Sequence, residues 1–203
     1  ALVFGASYAD VRLVESRDRS LTTKNGRIGH VSAEESAGLG IRVIAEGGWG
    51  FASTDDLSHA SVEACAQLAV EIARASATAK KAGVQLAPEP PVQTVWVAPC
   101  EIDPFAMSVE SQLALLLEVD AAMRREKGIT MTEAGLMFNR ARQIFLNSEG
   151  SDIDQTRTVT GAGMACYSFG KREIQKRSYP NSFGGQHQIR GWELVEELDL
   201  ARH

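Results

Sequence analysis

The chain is poor in the residues that usually announce a site. Cysteine occurs only at Cys65, Cys100 and Cys166 in 203 residues, an odd and widely scattered set. That excludes a disulfide framework and fits reduced thiols in or near a core of a cytoplasmic protein. Histidine is as sparse: His30, His59, His187 and His203 lie far apart, and no HExxH, HxxxH or CxxC spacing occurs. A zinc site normally begins from such a close pair, so none is expected here. Neither GxGxxG nor GxxxxGK[ST] is present, which removes the common nucleotide cradles. GxSxG is also missing, and no cysteine has a histidine within one helical turn, so no activated nucleophile is visible. No apolar run approaches the roughly 20 residues that a membrane-spanning helix needs.

What is present is ordinary globular composition, with 44% hydrophobic and 23% charged residues. The formal net charge of -5 argues against a nucleic-acid surface. The one basic run, Lys171 to Arg177, reads as a solvated strand face. The N-terminal "ALVFGASYADV" has no basic segment before an apolar one and no cleavage pattern, so no secretion signal is expected.

Periodicity gives strands first. "YADVRLVES" alternates, Leu21 to Val31 stays extended with a hairpin at Asn25-Gly26, and Ile41–Ala45 and Trp49–Ser53 are joined by a turn at Gly47-Gly48. Trp49 and Phe51, being in a strand, are expected in the core. A helix follows, capped by Thr54, Asp55 or Asp56 and ended by Gly83. Its alanine-rich face (Val62, Cys65, Ala66, Ala69, Ile72, Ala73) suits close packing on a sheet. Pro88, Pro90 and Pro91 mark a seam over 83–104, with a short strand at 94–98. The second half predicts a helix over 108–127 with Ser108 as N-cap, Leu113, Leu116, Leu117 and Met123 buried, and Gly128 as the stop. Strands then return at 129–138, 143–147, 158–169 and 172–178. A turn-rich "SYPNSFGG" (178–185) leads to an acidic amphipathic helix over 191–203. The fold class expected is α/β in the mixed α+β sense: antiparallel β meanders packed with helices.

The order meander, helix, seam, helix, meander, helix suggests a duplication. A shift of 123 residues aligns Leu13, Arg17, Arg19, Gly38, Gly40 and Gly47 with Leu136, Arg140, Arg142, Gly161, Gly163 and Gly170. Pseudo-repeats over about 8–82 and 105–203 are therefore expected. In that alignment the crowded polar stretch "LNSEGSDI" (146–153) falls opposite the Asn25-Gly26 hairpin. Glu149, Asp152 and Asp154 make only a fragment of a calcium loop, without its terminal bidentate Glu. The stretch reads as a turn at Glu149-Gly150, with Asn147 and Ser148 shaping its entry. Glu34-Glu35, Asp55-Asp56 and Glu196-Glu197 read as a polar loop, a helix cap and a solvated helix face. No catalytic or metal residue is assigned, and substrate-binding residues are unknown.

"KNGRI" followed by "GLGIRVIAEGGWGFASTDDLS" and "AVEIARASA" resembles the N-terminal domain of the TldD/PmbA family. "NSEGSDIDQTRTVTGAG" and "RSYPN…RGWELVEE" are similar to the second part of that domain. Members of this family also carry the name modulator of DNA gyrase, and those resembling TldD are zinc metallopeptidases. The resemblance implies one N-terminal domain over 1–203, ahead of a C-terminal domain whose HExxxH zinc motif is expected beyond this chain. It also implies zinc as the full-length cofactor, peptide or unfolded-protein substrates, and a homodimer or TldD/TldE-like heterodimer. Direct nucleic-acid and membrane partners are not expected. On this reading the chain is scaffold and peptide-binding or assembly domain, inactive by itself. The rival is a non-catalytic interaction module of the gyrase-modulator kind.

Overall fold

The computed structural model describes residues 1–79, 81–181 and 185–203. Among them are eight strands and three α-helices in an α+β arrangement: β1 (Tyr8–Lys24), β2 (Arg27–Ala45), β3 (Gly48–Thr54), α1 (His59–Ala77), β4 (Gln93–Val97), α2 (Val109–Arg124), β5 (Met131–Asn147), β6 (Asp152–Phe169), β7 (Ile174–Tyr179), β8 (Gln186–Gln188) and α3 (Glu193–Leu198). The sheet order is β3-β2-β1-β5-β6-β4, and β7 and β8 pair further along β6. β7 and β8 are antiparallel to β6, whereas β4 joins it in parallel.

Four strands are longer than the pattern suggests. β5 runs unbroken through 139–142, where two strands are expected, and β2 runs 19 residues through Gly38 and Gly40. The cause is that each long strand serves two compact units in turn. The first unit comprises Ala1–Ser16, Ser36–Val97 and Ala141–Thr156; the second comprises Arg17–Glu35, Ala98–Arg140 and Arg157–His203. These units are not the two halves of the sequence, since each draws chain from both.

In the first unit α1 lies on β3, where alanine meets glycine. A Cβ on Gly48 or Gly50 would fall 2.0 or 1.9 Å from the carbonyl oxygens of Ala73 and Ala69, so neither position admits a side chain. Cys65, Ala66, Ala69, Val70 and Ala73 close this core against Ile41, Val43, Ala45 and Ala52. Ile72, expected on that face, is instead exposed. Glycine is what moves the turn: Gly48 is used in the strand, so Glu46 and Gly47 take the positive φ of 52° and 76°. It also turns the aromatic positions of β3 away from α1. Trp49 is half-buried, and Phe51, expected in the core, is 57% exposed over Gly40.

Helix ends differ from expectation by local capping. Ser58 caps α1 by accepting from the Ser61 amide at 3.3 Å, while Thr54 and Asp56 shape the loop before it. α1 stops at Ala77 rather than Gly83, with the Thr78 amide and hydroxyl turned back onto the Ala75 carbonyl; further on, the Val84 amide donates to the Gly47 carbonyl. α2 begins at the predicted Ser108 cap and stops at Arg124, four residues before Gly128. The acidic C-terminal helix shortens to α3 and a 3-10 turn at Leu200–Arg202. In "SYPNSFGG", Ser182, Phe183 and Gly184 lie outside the described residues, as does Lys80.

The second unit packs α2 and α3 on its part of the sheet. Leu21, Leu116, Val119, Leu136, Phe138 and Leu194 form the centre, joined by Trp192 against Phe138. Two polar residues sit in the buried stripe of α2 that periodicity assigned to leucine. Gln112 bonds the Pro104 carbonyl, and Asp120 accepts from Thr132 Oγ1 at 2.6 Å and Arg124 Nε at 2.7 Å.

Candidate functional site

In the first unit β4 is exposed along its whole length. All five of its residues are exposed, Val95 at 76%, Val97 at 64% and Trp96 at 48%. A short apolar strand covered on neither side is held in the sheet by its backbone and by the turn beside it. The Asp152 amide donates to the Val92 carbonyl (2.8 Å), the Val92 amide to Ser151 Oγ (3.2 Å), and Gln93 Nε2 to the Gly150 carbonyl (3.4 Å).

That turn is "LNSEGSDI", and its polar atoms are engaged. Asn147 Oδ1 accepts from the amides of Glu149 (3.1 Å) and Ser151 (2.8 Å), and Gly150 supplies φ of +100°. Ser148 exchanges hydrogen bonds with Ala9: its Oγ accepts at 3.1 Å and its amide donates at 2.8 Å. The crowding is that of a turn anchoring β1 and β4.

Also in the first unit, Asp10 is buried between Arg12 (3.0 Å) and Arg42 (2.7 Å), with Arg42 stacked over Trp49. Tyr8 beside it has its pKa raised by burial and then by the Asp10 charge. This cluster is balanced by its own hydrogen bonds and reads as structural.

In the second unit three guanidinium groups surround one ring: Arg17, Arg19 and Arg140 lie 4.9, 5.4 and 5.1 Å from the centre of Phe105. Arg140 forks onto Asp103 at 2.6 and 3.2 Å, and Arg17 pairs with Glu35. Buried Arg19 instead donates to the carbonyl of Met107 and the side chain of Gln112. Burial, then Arg17, holds its pKa below the usual arginine value. It pins the segment leading into α2.

The thiols and imidazoles remain apart. Cys65 is in the α1 core and Cys100 is half-buried, both pushed up chiefly by burial, while Cys166 packs beside the second core. His30, His59, His187 and His203 are exposed, His203 stacking on Tyr179 at 4.0 Å. Glu35, Asp56 and Glu197 are occupied by Arg17, the Ser58 amide and Arg190. Among the described residues no three His, Cys, Asp or Glu side chains converge as metal ligands, and no helix is long and apolar enough to cross a membrane.

The fold is an α+β domain whose edge strand β4 is exposed along its length. The chain belongs to the PmbA/TldD metallopeptidase family: residues 9–73 match the family's domain 1 and residues 102–202 its central domain. It is 24% identical over 149 residues to a metalloprotease of Methanocaldococcus jannaschii, covering 72% of this chain and 32% of that protein. A metalloprotease of Methanothermobacter thermautotrophicus is 26% identical over 193 residues, covering 95% of this chain and 40% of that protein. The chain thus spans about a third to two-fifths of these relatives' length. Its fold is also that of a Bacteroides thetaiotaomicron protein described as a candidate modulator of DNA gyrase (TM-score 0.69, 13% identity, 97% of this chain and 46% of that one). TldE from Thermococcus kodakarensis is similar as well (TM-score 0.61, 16% identity, 87% of this chain and 40% of that one).

Proposed function

We propose that this chain is the scaffold and peptide-receiving portion of a TldD/PmbA-like metallopeptidase acting on peptides or unfolded proteins. The observation that carries this reading is β4, an edge strand exposed at every residue, in the segment between the stretches that match the family's domain 1 and central domain. An extended peptide laid along such an edge gains main-chain hydrogen bonds that do not depend on its sequence, while Val95, Trp96 and Val97 offer apolar contacts to alternate side chains. The family implies a metal, zinc in our reading. The described residues do not fit one, since their potential ligands stay dispersed, and no step of metal chemistry is assigned to this chain. The working form in this proposal is a cytoplasmic homodimer or TldD/TldE-like heterodimer, consistent with dispersed cysteines and an acidic balance.

The kinetic test replaces Val95 with Lys, which blunts the edge, in the full-length enzyme. KM for a peptide substrate is expected to rise about fivefold or more with kcat nearly kept, the pattern of lost uniform binding. An unchanged KM counts against the edge. A non-catalytic interaction module is the second reading, favoured by the name of the Bacteroides neighbour; co-purification of DNA gyrase with the full-length protein, without peptide cleavage, would establish it instead.

We further propose that 8–82 and 105–203 descend from one meander-plus-helix unit. Arg17 and Arg140, aligned by the internal offset, stack on the same ring, which supports it.

A further inference from the structure

Asn25-Gly26 is the one Asn-Gly pair in the 203 residues. It turns the chain between β1 and β2, and it carries a chemistry that the hairpin role does not use. An asparagine carboxamide followed by glycine is open to attack by the next backbone nitrogen, because glycine has no Cβ to crowd the approach. The Gly26 amide gives its proton to hydroxide, and its nitrogen bonds the Asn25 Cγ. The Cγ–Nδ2 bond then breaks, and the leaving nitrogen takes up a proton and departs as ammonia. Water adds to either carbonyl of the resulting succinimide and opens it to aspartate or isoaspartate. Nothing is oxidised or reduced, and water is the sole co-reactant.

The folded hairpin holds this pair in a form that cannot react. Asn25 has φ of 52°, the left-handed conformation that a two-residue hairpin requires there. With ψ near about +47° in that region, the Gly26 nitrogen stands opposite the Asn25 Cβ and out of reach of Cγ. Ring closure therefore needs a large rotation about the Asn25 Cα–C bond.

Two contacts resist that rotation, both made by residues of the second unit. Asn25 exchanges hydrogen bonds with Thr132 on β5: its amide donates to the Thr132 carbonyl at 3.0 Å, and its Oδ1 accepts from the Thr132 amide at 2.9 Å. Arg124 at the end of α2 lies across Gly26, where a Cβ would fall 2.6 Å from Nη2 and 2.8 Å from Cζ. That guanidinium is itself fixed by buried Asp120 at 2.7 Å. Asn147-Ser148 gives the contrast within the chain. There the amide that would attack, that of Ser148, is already bonded to the Ala9 carbonyl at 2.8 Å. The Gly26 amide has no such bond among the described residues, so its protection comes from conformation and cover.

We propose that Asn25-Gly26 is a one-way modification site gated by its hairpin. Closed, the pair is inert. Each opening of the Asn25–Thr132 pairing frees the rotation and brings the Gly26 nitrogen to the carboxamide. Isoaspartate adds a carbon to the main chain, so the product cannot restore both bonds to Thr132 in register. The tip then stays open, and the modification records its openings irreversibly. The inference does not depend on the peptide-handling role of β4.

The test incubates the purified chain beside a synthetic peptide of residues 20–31 in mildly alkaline buffer. Conversion of Asn25 is followed by peptide mapping and mass spectrometry. The folded chain should convert at least about tenfold more slowly than the peptide, and the slowing should match the exchange protection of the Asn25 and Thr132 amides to within about threefold, since one opening permits both. Arg124→Lys keeps a cation for Asp120 but removes the planar cover, and should speed conversion about threefold or more while the melting temperature stays close to that of the wild type. The purified isoaspartyl form should have lost protection of the Thr132 amide. Conversion as fast in the folded chain as in the peptide overturns the proposal, and so does a slowing that departs from amide protection by more than about tenfold. Equal rates in Arg124→Lys and the wild type, or retained Thr132 protection in the isoaspartyl form, overturn it as well.

Discussion

Arg17 and Arg140 face each other on neighbouring strands and share the ring of Phe105. The Asn25 amide bonded to the Thr132 carbonyl sets β1 antiparallel to β5, and in that register position 17 stands opposite 140. Like charges in that relation repel, and Asp103 on Arg140 and Glu35 on Arg17 relieve the conflict.

Asp103→Asn should therefore destabilise the protein by about 1 kcal/mol, a modest value because the pair is partly solvated. Burial pushes the Asp103 carboxyl up, but the Arg140 hydrogen bond and the Phe105 amide outweigh it and leave the pKa lowered. A depressed carboxylate stabilises the fold above its unfolded pKa of about 3.9, and that contribution is lost as pH falls through the lower folded value. Urea midpoints measured from pH 5 to 2 should fall more steeply for the wild type than for the variant. Parallel curves would remove Asp103 from the account.

Arg124→Ala should cost about 3 kcal/mol by urea denaturation, because it leaves the fully buried Asp120 with only the Thr132 hydroxyl. A loss below about 1 kcal/mol would show that the Arg124 pair contributes no more than a surface one.

Glycines divide by what a side chain would strike. Gly50→Ala forces a methyl against the α1 backbone and should destabilise by about 3 kcal/mol or more. Gly135→Ala meets only ordinary contacts and should be neutral or stabilising. Thermal unfolding of the two variants tests the contrast, and equal losses would contradict it.

Much of the fold was legible because it rests on local rules. Ser108 as a cap, Asn25-Gly26 as a hairpin and "LNSEGSDI" as a turn all follow from backbone chemistry within a few residues. Phe51 was misplaced because α1 takes the glycine face of β3, a tertiary fact that alternation cannot supply. Asp120 and Gln112 were missed because their partners, Thr132 and Pro104, come from outside the helix pattern. The unbroken β5 escaped because one strand serves two cores. β4 was visible as a short strand within the Pro-rich seam, but its exposure on every residue depends on pairing with β6, whose partner residues lie far along the chain.

Metal analysis offers a separate check. The purified 203-residue chain, dialysed against metal-free buffer, should retain no stoichiometric zinc. One tightly held zinc per chain would overturn the structural role of every His and Cys.

The central claim is that β4 receives peptide, and amide hydrogen exchange of the full-length enzyme reads it directly. With a slowly cleaved substrate peptide bound, the amides of Gln93–Val97 should exchange at least about tenfold more slowly, as expected when an open edge gains a partner strand. Unchanged exchange across β4, with the peptide demonstrably bound, would contradict the account.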